Sequence, residues 1–285
     1  MKKLVKLLAL ALCAIMVVSM FAACGSDEKT DDTAADTAAD TAEASLKDID
    51  AVKAAGKIVV GITDYAPMNY KDENDEWTGF DTEFAEAFGK ILGVDVEFVE
   101  IDWDNKWFEL ESGNVDCIWN GMTITDEGKL NADISVAYAK NNQVLITANE
   151  NVDKVVAEYG ENDELTSVTM DGKVAVESGS AGQSAAEGFE LEIVECQLQT
   201  DALLEVKSGK ADGCVIDATM AGAMLKEDSD YADLTVALTL TDEEYGVAFR
   251  KGSDLTAEFN KAFDSLIADG TLKALSEKYN VELTK

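Results

Sequence analysis

From about Leu46 onward, short β-branched apolar runs alternate with stretches in which apolar residues recur every three or four positions. A continuous apolar run suits a strand buried on both faces, and the three-to-four spacing gives a helix one buried stripe. Alternation of the two predicts an α/β fold. Lys57–Ile62 reads as a buried strand ending in a turn. Phe84, Phe88, Ile91 and Leu92 define the stripe of a helix over Phe80–Leu92, closed by Gly93. Further strands are predicted at 94–99, 117–119, 144–147, 173–176, 214–216, 234–240 and 247–249, and helices at 201–208, 255–268 and 272–279.

One pattern occurs twice. Residues 110–118 (LESGNVDCI) and 206–215 (VKSGKADGCV) share a helix end, a Ser-Gly stop, an Asp and a Cys-containing strand. Two similar lobes, each aiming a helix-to-strand unit at the same place, account for the echo. Gly is also the common helix terminator, so a chance match of two helix stops remains a second account.

The first two dozen residues have a different grammar. Lys2, Lys3 and Lys6 precede an unbroken apolar run over 7–18, too short for the ~20 residues of a membrane span and of the length of an export signal. Phe21-Ala22-Ala23-Cys24-Gly25 then resembles the lipobox of bacterial lipoproteins, with Phe21 departing from the usual aliphatic residue. Residues 1–23 are expected to be a removed signal peptide and Cys24 the lipidated first residue of the mature chain. Residues 24–45 are dominated by Asp, Thr, Ala, Glu and Ser, which bury no core and predict a disordered, self-repelling acidic tether.

Composition narrows the chemistry. The formal charge is −34, and loss of Lys2, Lys3 and Lys6 with the signal takes it to −37. Such a chain repels nucleic acid and anionic lipid, so membrane association is expected through the anchor alone and the folded part as a soluble monomer. No His occurs, which removes the commonest general base and any Ser-His-Asp or Cys-His pair. Cys13 lies in the signal and Cys24 at the lipobox; Cys117, Cys196 and Cys214 form no C-x-x-C pair and sit among apolar neighbours, as buried strand residues do. Neither a metal nor a cofactor is expected.

The ordered set of motifs resembles family 3 of the bacterial extracellular solute-binding proteins, the polar-amino-acid receptors of ABC importers. The resemblance runs through 61–70 (GITDYAPMNY), 79–84 (GFDTEF), 92–98 (LGVDVEF), Trp103, 110–116 and 120–125 (NGMTIT). It continues through 171–176 (DGKVAV), 179–182 (GSAG), 209–212 (GKAD), Asp217, 245–252 (YGVAFRKG) and 269–272 (DGTL). It implies a two-lobed periplasmic-binding-protein-like fold of type II, with two crossing strands. The lobes would be 46–142 with 242–285, and 143–241. It further implies hinge closure over a small amino-acid-like ligand, delivery to the permease subunits of an importer, and residence on the outer face of the cell membrane.

The same resemblance places ligand-binding residues. Asp217 falls at the family's ammonium-binding position, at the end of a strand; as the residue before an apolar stretch it also fits a helix N-cap. Tyr65, Tyr70 and Trp103 would cover the ligand and offer cation–π contact, or serve packing alone. Asn120 can offer donors and an acceptor to a ligand or be a turn residue before Gly121. Family members carry Thr-x-x-Arg after the central motif, with the Arg clamping the ligand carboxylate; here Thr125 is followed by Asp126, Glu127 and Gly128. Three replacements are open: Lys129 one place along, the backbone N–H groups of Ser180, Ala181 and Gly182 with the Thr123 hydroxyl, or a ligand that lacks the carboxylate. A dehydratase-like enzyme and a sensory binding component are the alternatives on this fold. The first lacks His and the clamp, and the second requires a separate signalling partner.

Overall fold

The structure is a computed structural model that describes residues 47–285; the expected signal peptide, the expected lipidation site Cys24 and the expected tether lie outside the described residues. Two five-stranded mixed sheets form two lobes. The first has the order Asp95–Glu100, Lys57–Ile62, Cys117–Ile118, Ala248–Phe249, Asp133–Ile134. The second has the order Ile193–Cys196, Val174–Glu177, Gly213–Asp217, Ala139–Ala148, Leu234–Tyr245. In both, three parallel strands are followed by two antiparallel junctions. The twice-occurring motif lands on the same place in each order, since Cys117–Ile118 and Gly213–Asp217 are the two central strands. The echo in sequence is therefore a repeat in space.

Packing explains the register. Lys57–Ile62 lies between two parallel neighbours, and Ile58, Val60 and Ile62 are fully buried. At Gly61 a Cβ would come within 3.0 Å of Ile118 Cδ1, so a larger residue would have to displace that methyl group. The helix Phe80–Leu92 forms as its period predicts and ends on Gly93 at φ 77°, the left-handed conformation Gly tolerates. Its stripe builds an aromatic core: Phe84 meets Trp119 edge-on at 4.7 Å, and Trp119 meets Phe259 at 5.0 Å. The second lobe has an aliphatic core in which Leu145, Val174, Val176 and Val215 are buried around Ala185 and Ala186.

Two long strands join the lobes. Ala139–Ala148 and Leu234–Tyr245 pair antiparallel along their length, from Ala139 opposite Tyr245 to Ala148 opposite Leu234. At one end they touch the first lobe, where Tyr245 bridges Thr123 and Ala139 bridges Leu283. At the other they complete the second sheet beside Gly213–Asp217. Several elements extend beyond their predicted limits, notably these two strands. The helix Ala181–Gly188 was not predicted; it is short and built of small residues with no large apolar side chain.

Candidate functional site between the lobes

The central strand of the second lobe ends on Asp217, the residue before the helix Ala218–Met224, and its carboxylate makes no cap bond to that helix. The side chain is 5% exposed and turned toward the joining strands. Oδ1 accepts from Gln143 Nε2 and the Tyr245 hydroxyl, each at 2.9 Å, and from Asn141 Nδ2; Oδ2 accepts from Gln199 Nε2. All these donors are neutral. Glu243 lies alongside and shares two of them, Asn141 at 2.6 Å and Gln143 at 2.9 Å. Burial, reinforced by the Glu243 charge, pushes the Asp217 carboxyl up to about 8.

Asp217 opens onto a cavity of about 220 Å³ between the lobes. That is below the usual range for drug-sized ligands and suits one small metabolite. From the first lobe the walls are Trp103, Lys106, Trp107, Asn120, residues 121–123, Thr125 and Glu127; from the second they include Glu177, Gly179, Ser180, Ala181 and Gln199. Glu177, 3% exposed, is also held near 8, chiefly by burial and then by the Asp217 charge. Ser180 caps its helix by accepting from Gln183 N at 3.0 Å, and Ala181 is the first helical residue.

The predicted residues divide into three groups. Trp103, Asn120, Thr123, Ser180, Ala181 and Asp217 line the cavity. The Asn120 amide is nevertheless engaged internally, accepting from Thr63 Oγ1 at 2.7 Å and donating to Thr63 O at 3.0 Å, and the Thr123 hydroxyl donates to Glu243 at 2.8 Å. Tyr65 is buried behind the wall, its hydroxyl 2.6 Å from that of Tyr245, so it reaches Asp217 through one intermediary. Tyr70 and Lys129 lie elsewhere, on a broad groove of about 1200 Å³. The Lys129 side chain is 57% exposed and paired with Asp126 at 3.1 Å, outside the inter-lobe cavity.

These features meet their counterpart in known proteins. Residues 58–282 match the bacterial extracellular solute-binding proteins, family 3. The chain belongs to that family. It is similar to the arginine-binding extracellular protein ArtP of Bacillus subtilis, 30% identical over 225 residues that make up 78% of this chain and 86% of the relative. It is also similar to the ABC transporter glutamine-binding protein GlnH of the same organism, 30% identical over 96% of this chain and 97% of the relative. Among solved structures, a mutant of ArgBP from T. maritima superposes with TM-score 0.72 at 30% identity, covering 81% of this chain and 98% of that one. This is thus an extracellular solute-binding protein and not an enzyme.

The cavity wall includes three charged residues that were not anticipated, Lys106, Glu127 and Glu177. Lys106 follows Trp103 by three positions and precedes Leu110 by four, so it occupies the inward stripe of its helix, where an apolar residue is the ordinary choice. Glu177 ends the buried strand Val174–Glu177. For Lys106 and Glu177, a charge at a core-facing position was the readable signal.

Proposed function

We propose that this solute-binding protein is the capture component of an ABC importer for an amino acid, held by the two lobes with its amino group at Asp217. The observation that carries the reading is Asp217 itself. It is a buried carboxylate with neutral donors, at the wall of an inter-lobe cavity and bonded to the strands that join the lobes. A ligand ammonium beside it supplies the opposite charge, and both lobes touch that ligand only when they are closed. Differential contact with the closed state then shifts the population that the permease meets.

The wider arrangement is part of the same proposal. Cys24 is lipidated after removal of residues 1–23, residues 24–45 tether the folded part to the outer face of the membrane, and the protein acts as a monomer. The lobes are 46–142 with 242–285, and 143–241. The relatives that bind arginine and glutamine define the first ligands to try. In a thermal-shift panel with the purified full chain, an α-amino acid at about 100 times its dissociation constant stabilises the protein by about 2.7 kcal/mol. Equal stabilisation by the corresponding deaminated acids overturns the assignment of Asp217.

A further inference from the structure

Lys106 presents the cavity's cation. It is the single Lys or Arg among the cavity's lining residues, and it is 7% exposed. Its ammonium donates to Trp103 O at 3.2 Å and, across the cleft, to Gly179 O at 2.7 Å. It also stands over the ring faces of Trp103 and Trp107, at 4.9 and 5.3 Å from their centroids. These partners orient the ammonium without neutralising it, and an ammonium has three donors, so one remains for a further acceptor. Burial lowers its proton affinity, opposed chiefly by the Glu177 charge. The carbonyl it grips is two residues before Ala181, so the ammonium sits beside the positive end of the helix Ala181–Gly188.

Gly128, where the family's arginine would stand, is closely surrounded by side chains. A Cβ at Gly128 would meet Ile134 Cδ1 at 3.1 Å, Thr125 Oγ1 at 3.2 Å and the Trp107 ring at 3.5 Å. The Thr125 hydroxyl is already taken, accepting from Gly128 N at 2.9 Å. The Trp107 ring thus lies within contact distance of position 128, and its face supports the Lys106 ammonium. We infer that Lys106 is the anchor for the ligand's carboxylate and that, through Gly179, it makes lobe closure and carboxylate capture one event. The inference rests on the amino-acid reading above. It defines the ligand as a free acid, with its ammonium toward Asp217 and its carboxylate toward Lys106.

The test is calorimetric titration of the full chain with arginine, glutamine and histidine, each beside its α-amide, for the unsubstituted protein, Lys106→Met, Lys106→Arg and Lys129→Met. Lys106→Met is expected to weaken the amino acid that binds best by about 100-fold and its α-amide by less than threefold. Lys106→Arg keeps the amino acid within about tenfold, and Lys129→Met leaves both unchanged. Amino acid affinity within threefold of the original in Lys106→Met overturns the anchor. So does a parallel loss of acid and amide, which marks a structural latch. If Lys106→Met fails to fold, Lys106→Arg decides: unchanged preference for acid over amide supports the anchor, and loss of that preference overturns it. Failure of every amino acid to bind the unsubstituted protein instead overturns the amino-acid reading itself.

Discussion

The two lobes share one topology and divide the labour unequally. In the first, the central strand Cys117–Ile118 leads into Trp119 and Asn120, whose side chains are committed to the lobe's own interior. The loop that follows is pinned as well: Gly121 N donates to Asp81 at 2.6 Å, and Tyr138 donates to the same carboxylate at 2.8 Å. In the second, the equivalent strand ends on Asp217, whose carboxylate faces out of the lobe toward the joining strands. Its core is aliphatic, and its cavity wall carries Glu177 and a helix start. The same backbone unit thus ends once in a structural plug and once in a buried carboxyl at the cavity wall. Asn120 bonds only within its lobe, whereas Asp217 bonds to Gln143 and Gln199 of its own lobe and also to Asn141 and Tyr245 on the joining strands.

The largest expected effect tests the aromatic plug. Phe84→Ala removes a fully buried ring and should cost about 3–5 kcal/mol of unfolding free energy, against about 1–3 kcal/mol for Val176→Ala in the second lobe. Denaturant melts compare the two, and equal losses would erase the distinction between the cores. Next come the paired strand ends. Asp217→Asn should cost about 2–4 kcal/mol of ligand binding with little loss of stability, whereas Asn120→Ala should cost about 1–3 kcal/mol of stability with its binding loss confined to that destabilisation. Titration and melting of both variants would show a reversal if the roles were shared.

The smallest effect is in pH. In the free protein, Asp217 is held up near pH 8 by burial and by Glu243, so near neutrality it is largely protonated. A ligand ammonium favours the carboxylate and lowers that pKa in the complex, so binding releases a proton. Affinity should therefore rise by roughly tenfold per pH unit toward about 8 and level off above it. Asp217→Asn should flatten the profile. A profile that falls as pH rises from 6 to 8 would contradict the assignment. Asp81, held near 7 mainly by burial, acts on stability in the same window. Its contribution is complete below the carboxylate's ordinary value near 4 and is lost as pH rises through 7, in both ligand states.

Much of the fold was legible because backbone patterning is local. The helices Phe80–Leu92 and Leu255–Ala268 have the limits their apolar spacing predicts, and the duplicated Ser-Gly-x-x-Asp unit marked the central strand of each sheet before either sheet was described. At Asp217 the motif pointed to a residue that the structure places at the wall of the cavity. Tyr70 and Lys129 line a second, broader groove with Asn141, Thr219 and Glu243, a separation from Asp217's cavity that chain position does not encode. Lys106 escaped notice because a single charged residue in an amphipathic helix ordinarily points to solvent.

The sequence by itself determined the α/β alternation, the family, and the lack of an arginine at position 128, since these are properties of residue order. Only the tertiary structure brings Lys106 into the cavity between the lobes. Trp107 is placed against Gly128 by helix packing, and Gly179 approaches Lys106 from the other lobe, 73 positions away. Such pairings depend on how two separately folded lobes meet, and no local pattern encodes that distance.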